Sequence, residues 1–382
     1  MLWMRRMLTV AAAIVVGAAA SAGRAQAIAF GEVAEHGFIY AGGHYIDTPA
    51  GQVMTGQMYV EYFIPRVVSH RYPIVLLTGG GPTGALYETT PDGRPGWAAY
   101  YLQHGWKVYV TDQVARGRSI QDQKIDGPAG RDTVKSIQER LSVSERFQLW
   151  PQAKYHTQWP GSGAPGDPVF DQFMASRVTT LSSNATMEAL DANALADLLD
   201  RIGPAIVQTH SQSGTHGWRA ADLRPALVKA VVAVEPNGPP YKEVSYVGPP
   251  DYFGPETVGR PWGITNGPIT YEPAVKDPSE LTFVQEEKPA GPGLARCWSQ
   301  QAPARKLPRL ATVKVLIVTT EASYHAPYDH CTSNYLTQAG VKHDWIKLAD
   351  LGIRGNGHDM MIEKNNQAIV AVMARWLTQQ GL

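Results

Sequence analysis

Cysteine is nearly absent from the 382 residues: there are two, Cys297 and Cys331. So few exclude a disulfide-dense scaffold and the zinc sites built from several spaced cysteines. Charge excess is missing as well, with 34 Lys+Arg against 34 Asp+Glu and no basic run beyond the extreme N-terminus. Nucleic-acid binding rests on a concentrated basic surface, so no nucleic-acid partner is expected, and neither is a polyanionic substrate. No apolar run reaches the roughly 20 residues of a membrane-spanning helix. Repeats and low-complexity arrays are lacking too. What remains is an ordinary globular balance, 44% hydrophobic and 18% charged, with enough apolar side chains for a large core.

The N-terminus has the three parts of an export signal. Arg5 and Arg6 form the positive segment, residues 8–20 are uncharged, and Ala25-Gln26-Ala27 offers a small-x-small cleavage site. Ala20-Ser21-Ala22 is a second such site. Residues 1–27 are therefore read as a signal peptide and 28–382 as the mature domain, secreted or periplasmic and without a stable membrane anchor after processing. Export favours a disulfide between Cys297 and Cys331 over two free thiols.

Short apolar runs punctuate the chain at 73–77, 108–110, 205–207, 228–234 and 313–318. They are rich in Val, Ile and Leu and do not alternate with polar residues, as expected of strands covered on both faces. Helical stretches lie between them at 96–104 and 185–201, where Met187, Leu190, Ala194, Leu195, Leu198 and Leu199 make a helix-spaced stripe. A further helix at 363–380 closes the chain. Alternating strands and helices predict an α/β fold with a mostly parallel sheet. An antiparallel pair, 38–46 and 58–64, leads into it through a turn at 47–51. Two insertions, about 120–184 and 237–310, are long enough to be lids or binding loops. The second carries seven prolines between 239 and 268 among Tyr241, Tyr246, Tyr252, Phe253 and Trp262. It is read as the lid, and its aromatics as the wall of a largely apolar pocket.

The chemistry centres on Thr209-His210-Ser211-Gln212-Ser213-Gly214, where a strand runs into a serine flanked by small residues and then a helix. That is the context of a nucleophile elbow, although Thr209 and Ser213 replace the two usual glycines. Ser211 is preferred to Ser213 because it ends the strand, whereas Ser213 already enters the helix. A serine needs a base, and His358, on the loop Gly355-Asn356-Gly357 before the last helix, is placed to supply it; His210 and His216 should point away or lie on the helix. The acid is read as Glu235 at the end of 228–234, with Glu321 and Asp329 after the next strand as rivals. Oxyanion donors are expected from the N–H groups of Gly80, in Gly79-Gly80-Gly81, and of Gln212. A phosphate-cradling reading of that glycine run fails for want of a following Lys-Ser/Thr. His325, Asp329 and His330 cluster without further spaced ligands, so no metal site is expected.

Taken together these motifs resemble the α/β-hydrolase superfamily, and within it the exported bacterial esterases with adjacent cysteines at the oxyanion loop. The resemblance runs from about Tyr72 onward. It rests on residues 78–84, Tyr87 to Arg94, Gly96-Trp97, Asp112-Gln113 and Arg116-Gly117-Arg118-Ser119. It continues through His210 to Gly214, Glu235-Pro236, Gly355 to His358 and Asn365-Asn366. It implies an acid on the strand after the nucleophile, which matches Glu235. Gly80-Gly81 stand where that family has its cysteine pair, and Thr78 where His is common, so that disulfide is lacking and the loop is expected to be more mobile.

The expectation is a serine hydrolase cleaving carboxylic esters with Ser211, Glu235 and His358, without cofactor, on a small-molecule ester substrate. Homo-oligomer formation is left open. The alternatives are a lactonase or amidase with the same triad, or an inactive binding protein on this fold.

Overall fold

Eight strands form the main sheet of the computed structural model, which describes Ile28 and residues 30–382. The expected signal peptide lies outside the described residues. The strands are β1 (Val33–Thr48), β2 (Gly51–Pro65), β3 (Ile74–Leu77), β4 (Val108–Asp112), β5 (Ala205–His210), β6 (Val228–Val234), β7 (Lys314–Thr319) and β8 (Asp344–Lys347). Their order is β1-β2-β4-β3-β5-β6-β7-β8. From β4 to β8 every neighbour is parallel, while β1 and β2 join antiparallel at one edge.

The absence of polar alternation in the central strands has a direct cause. In β3, Ile74 and Leu76 enter the core on one face, while Val75 and Leu77 enter the core on the other. Helices α1 (Trp97–Gln103) and α5 (Asn366–Gln379) cover the first face with Trp97 and Trp376. On the second, α2 (Asn184–Ile202) and α3 (Ser213–Leu223) bring Leu195, Leu198 and Trp218. Ser183 caps α2 by accepting from the Thr186 N–H, and Gly203, at φ 80°, ends it.

The antiparallel pair is longer than expected: β1 begins at Val33 and runs through Gly42 and Gly43 to Thr48, and β2 begins at Gly51. At Gly42, φ is 69° and a Cβ would lie 3.0 Å from Ala194 of α2, so glycine lets that helix pack on the strand. The last helix starts at Asn366 and not at Glu363, whose carboxylate is buried and used elsewhere. Cys297 and Cys331 are bonded, as export led one to expect, tying the second insertion to the first turn of α4 (Asp329–Gln338). Among the described residues no helix is long and apolar enough to cross a membrane.

The chain leaves β3 for β4 on one side and returns to β5 on the other. At such a switch point the loops leaving the carboxyl ends diverge and open a crevice. Here those loops are the glycine run after β3 and the turn after β5.

Candidate active site

Every residue of β5 is buried, so the strand delivers its last residue rigidly to the sheet edge. Ser211 then turns the chain with φ 53°, a left-handed conformation uncommon outside glycine and concentrated at functional sites. Backbone bonds hold it there. The Ser211 N–H donates to the Val234 carbonyl at 3.1 Å, and its carbonyl accepts from Gly214 at 2.9 Å and Asn237 at 2.7 Å. Ser213 is fully buried, and its hydroxyl is occupied: it accepts from the His210 N–H at 2.9 Å and sits 2.9 Å from the His210 carbonyl.

Glu235 follows β6 in another positive-φ turn, at 43°. Its Oε2 lies 2.6 Å from Nδ1 of His358 and accepts from the Ser323 hydroxyl at 2.6 Å. Its Oε1 accepts from the Thr320 N–H at 2.8 Å and hydroxyl at 2.7 Å. Burial pushes this carboxyl up to about 8, against the downward pull of His325 and of the Ser323 and Thr320 hydroxyls. Burial, with His210 and His325 nearby, holds His358 well below the ordinary histidine value. With Nδ1 engaged, Nε2 of His358 is buried and has no hydrogen-bond partner. His358 and Ser211 line the same cavity.

The His358 loop is braced by groups that the sequence did not advertise. Glu363 accepts from the Gly357 N–H and from Asn356, and pairs with His156 of the first insertion at 2.6 Å. Although burial opposes it, Glu363 and Glu145 raise His156 to about 9. His210 does not point away as expected: its Nε2 lies 3.1 Å from the His358 carbonyl and its ring centroid 4.4 Å from that of His358. His216 pairs with Asp191 at 2.8 Å. Neither rival acid meets His358. Glu321 binds Arg354 at 2.6 Å and the Gly355 N–H at 2.8 Å, while Asp329 pairs with His325 at 2.9 Å.

Gly80 and Gln212 line the cavity together with Ser211. Among the described residues the N–H groups of Gly80 and Gln212 have no acceptor. Arg116, buried, ties the two loops together by donating to the Gly79 carbonyl at 2.6 Å and to Gln212 Oε1 at 2.8 Å. Arg177 donates to the Gly80 carbonyl at 2.8 Å. A Cβ at Gly79 would stand 2.9 Å from the Ser211 Cβ, which explains the glycine. The loop expected to be mobile is thus pinned by two arginines.

The cavity holds about 690 Å³. Both insertions wall it, but the first contributes more than the second, the reverse of the sequence expectation. The wall is also more polar than expected, with Arg131, Asp132, Glu139, Arg140, Arg177 and Glu243 beside Trp150, Tyr246 and Tyr324. Tyr241, Tyr252, Phe253 and Trp262, the other aromatics used to infer an apolar pocket, do not line it. His325 and Asp329 engage each other, and His330 turns to Cys331 at 3.6 Å. Donor atoms of His210, His358 and Asp359, and of Glu235, His325 and His358, do approach within 4.8 Å. Both sets run through His358, the ring that the sequence reading takes as the base.

No family model matches the chain. It is 44% identical over 345 residues, covering 90% of this chain and 89% of the relative, to the "Probable secreted lipase phiG" of Fungal sp. (strain ATCC 74256). Among solved structures it resembles "a Novel Bacterial Esterase" at 23% identity with a TM-score of 0.58, covering 91% of this chain and 96% of that one. The latter likeness speaks to the fold, and the former, over nearly the full length of both proteins, to kinship. The chain has the α/β-hydrolase fold and belongs to one family with that probable secreted lipase.

Proposed function

We propose that this protein is a secreted carboxylic-ester hydrolase that works through an acyl-enzyme, with Ser211, His358 and Glu235 as its triad. The observation that carries the reading is the Glu235–His358 pair, 2.6 Å apart, with a free Nε2 in the cavity wall that also holds Ser211 on its strained turn. Nε2 takes the Ser211 proton as Oγ bonds to the ester carbonyl carbon. Glu235 fixes the tautomer with Nε2 unprotonated and stabilises the imidazolium that forms. The N–H groups of Gly80 and Gln212 receive the oxyanion. His358 then protonates the departing alcohol, and a water deprotonated by the same nitrogen releases the acid. Acyl transfer of this kind needs no cofactor. The name of the fungal relative supports secretion, as does the signal-like N-terminus.

Fluorophosphonate labelling mapped by mass spectrometry tests the assignment. Ser211 should carry the adduct, and Ser211→Ala should abolish both labelling and ester hydrolysis. An adduct on Ser213 would refute it.

A further inference from the structure

Arg140 sits on a wide π-type turn, Gln138–Ser142, within the first insertion. Such turns open the helical ladder and recur at functional sites. Its guanidinium lies 4.2 Å over the ring of Tyr324, and the residue is exposed while lining the cavity that contains Ser211. It makes no hydrogen bond or ion pair with any described residue. The acids around it are already committed. Asp132 pairs with Arg177, Glu243 with Arg260 at 2.6 Å, and Glu139 with Lys135 at 3.7 Å. Arg131, also in the wall, reaches only the Arg177 carbonyl at 3.2 Å. Asp359, next to His358 in the same wall, feels the Arg140 charge but makes no hydrogen bond or ion pair with it among the described residues. The cavity therefore presents a guanidinium whose hydrogen-bond donors are unpaired among the described residues, at a place fixed by Tyr324.

We propose that the site takes esters bearing a free carboxylate, which the Arg140 guanidinium holds while Ser211 attacks the ester carbonyl. This rests on the hydrolase reading above and names the class of substrate. A guanidinium is a planar fork that meets a carboxylate through two parallel hydrogen bonds. Stacking on Tyr324 fixes the plane of that fork. The Tyr324 hydroxyl in turn meets Ser211, so the anion subsite stands about one phenol ring from the attacking oxygen. That spacing fits a hemiester of a short dicarboxylic acid. A singly charged carboxylate is favoured over a phosphate dianion, since Asp359 and the paired acids remain in the same wall. The bonds made and broken are those of the hydrolysis: hemiester and water give dicarboxylic acid and alcohol, and the carboxylate is unchanged.

Calorimetry on the Ser211→Ala protein, with monomethyl glutarate and dimethyl glutarate as probes, separates recognition from turnover. The hemiester should bind at least tenfold more tightly than the diester. Adding Arg140→Gln should bring the two within threefold, and Arg140→Lys should keep only part of the preference. Equal affinities at the start, or a preference that survives Arg140→Gln, would overturn the proposal. Turnover of matched 4-nitrophenyl esters by protein retaining Ser211 then tells the two failures apart. Selective binding with no hydrolysis of any ester leaves the anion subsite standing and sinks the hydrolase reading. Hydrolysis of neutral and anionic esters alike does the opposite.

Discussion

Replacing Asp359 by Asn probes a buried carboxylate that has no hydrogen-bond partner at Oδ2. It is 3% exposed and next in sequence to His358. Burial, with Arg177 opposing and Glu363 assisting, raises it from 3.8 to about 6. A folded-state value above the unfolded one means that the folded protein holds this proton more tightly. Below pH 3.8 the group is neutral in both states and costs nothing. Between 3.8 and 6 only the unfolded state ionises, so stability falls as pH rises, and above 6 the loss is constant. Two pKa units and a fraction correspond to about 3 kcal/mol. Asn keeps the shape and never ionises, so its advantage over Asp should be about 3 kcal/mol larger at pH 7.5 than at pH 3.8. Any cost of burying the amide is common to both pH values and cancels. Urea unfolding of the mature, disulfide-intact protein at the two pH values measures the difference. An offset independent of pH, or one that shrinks as pH rises, would refute the reasoning. A carboxylate kept at such a cost beside the proposed base should help stabilise its imidazolium, so the more stable variant should also be the slower one.

Other expectations follow from the same geometry. In the proposed mechanism the Glu235–His358 pair must lose one proton to become active, so kcat/KM should climb with pH through about 8; an acid limb near 6.5 or lower would contradict it. Gly79→Ala would press a Cβ against Ser211 and His210, and kcat should fall by about 10² to 10³, the cost of misplacing one oxyanion donor; unchanged kinetics would show that the loop yields. Reducing the Cys297–Cys331 bond, which spans 34 positions, should cost about 4 kcal/mol by loop-closure entropy less any strain released, read from denaturation with and without reductant.

Much of this arrangement was legible because two-sided burial leaves a plain mark in the sequence. The central strands, α2 and the strand-to-helix turn at Ser211 all follow from apolar runs and their punctuation. What could not be read depends on contacts between distant segments. Arg116 gave no sign that it would bridge Gly79 and Gln212, nor Glu363 that it would leave its helix to hold Gly357. The pocket was misread for a related reason. Aromatics crowded among prolines suggested an apolar wall, yet Tyr252, Phe253 and Trp262 pack outside it, while the first insertion brings its arginines in. Composition reports what an insertion contains, not which side faces the cavity.

The assignment of the acid turns on a second acid–histidine pair beside the first. Asp329, after β7, holds His325, whose ring stacks on that of His358 at 4.7 Å and 9°. Both acids are fully buried, so what separates them is the support each offers a negative charge. Glu235 is met by the Thr320 N–H, two hydroxyls and His358 Nδ1. Asp329 has the Thr319 hydroxyl and His325 alone. Burial raises Asp329 well above the ordinary carboxylate range and pushes His325 down to about 3, which favours the neutral form of that pair, whereas the better-supported Glu235 is raised to about 8 and ionises at the assay pH below. An amide can replace a neutral acid in such a pair, so Asp329→Asn should change kcat less than tenfold. Glu235→Gln removes the charge that stabilises the imidazolium, and should lower kcat by about 10⁴ with the fold intact. Glu321→Gln should cost little, since Glu321 braces Gly355 and does not touch His358. Stopped assays on the three variants at pH 8.5, with circular dichroism to check folding, decide the matter. A collapse of activity in Asp329→Asn with Glu235→Gln spared would move the acid to β7 and undo the triad proposed here.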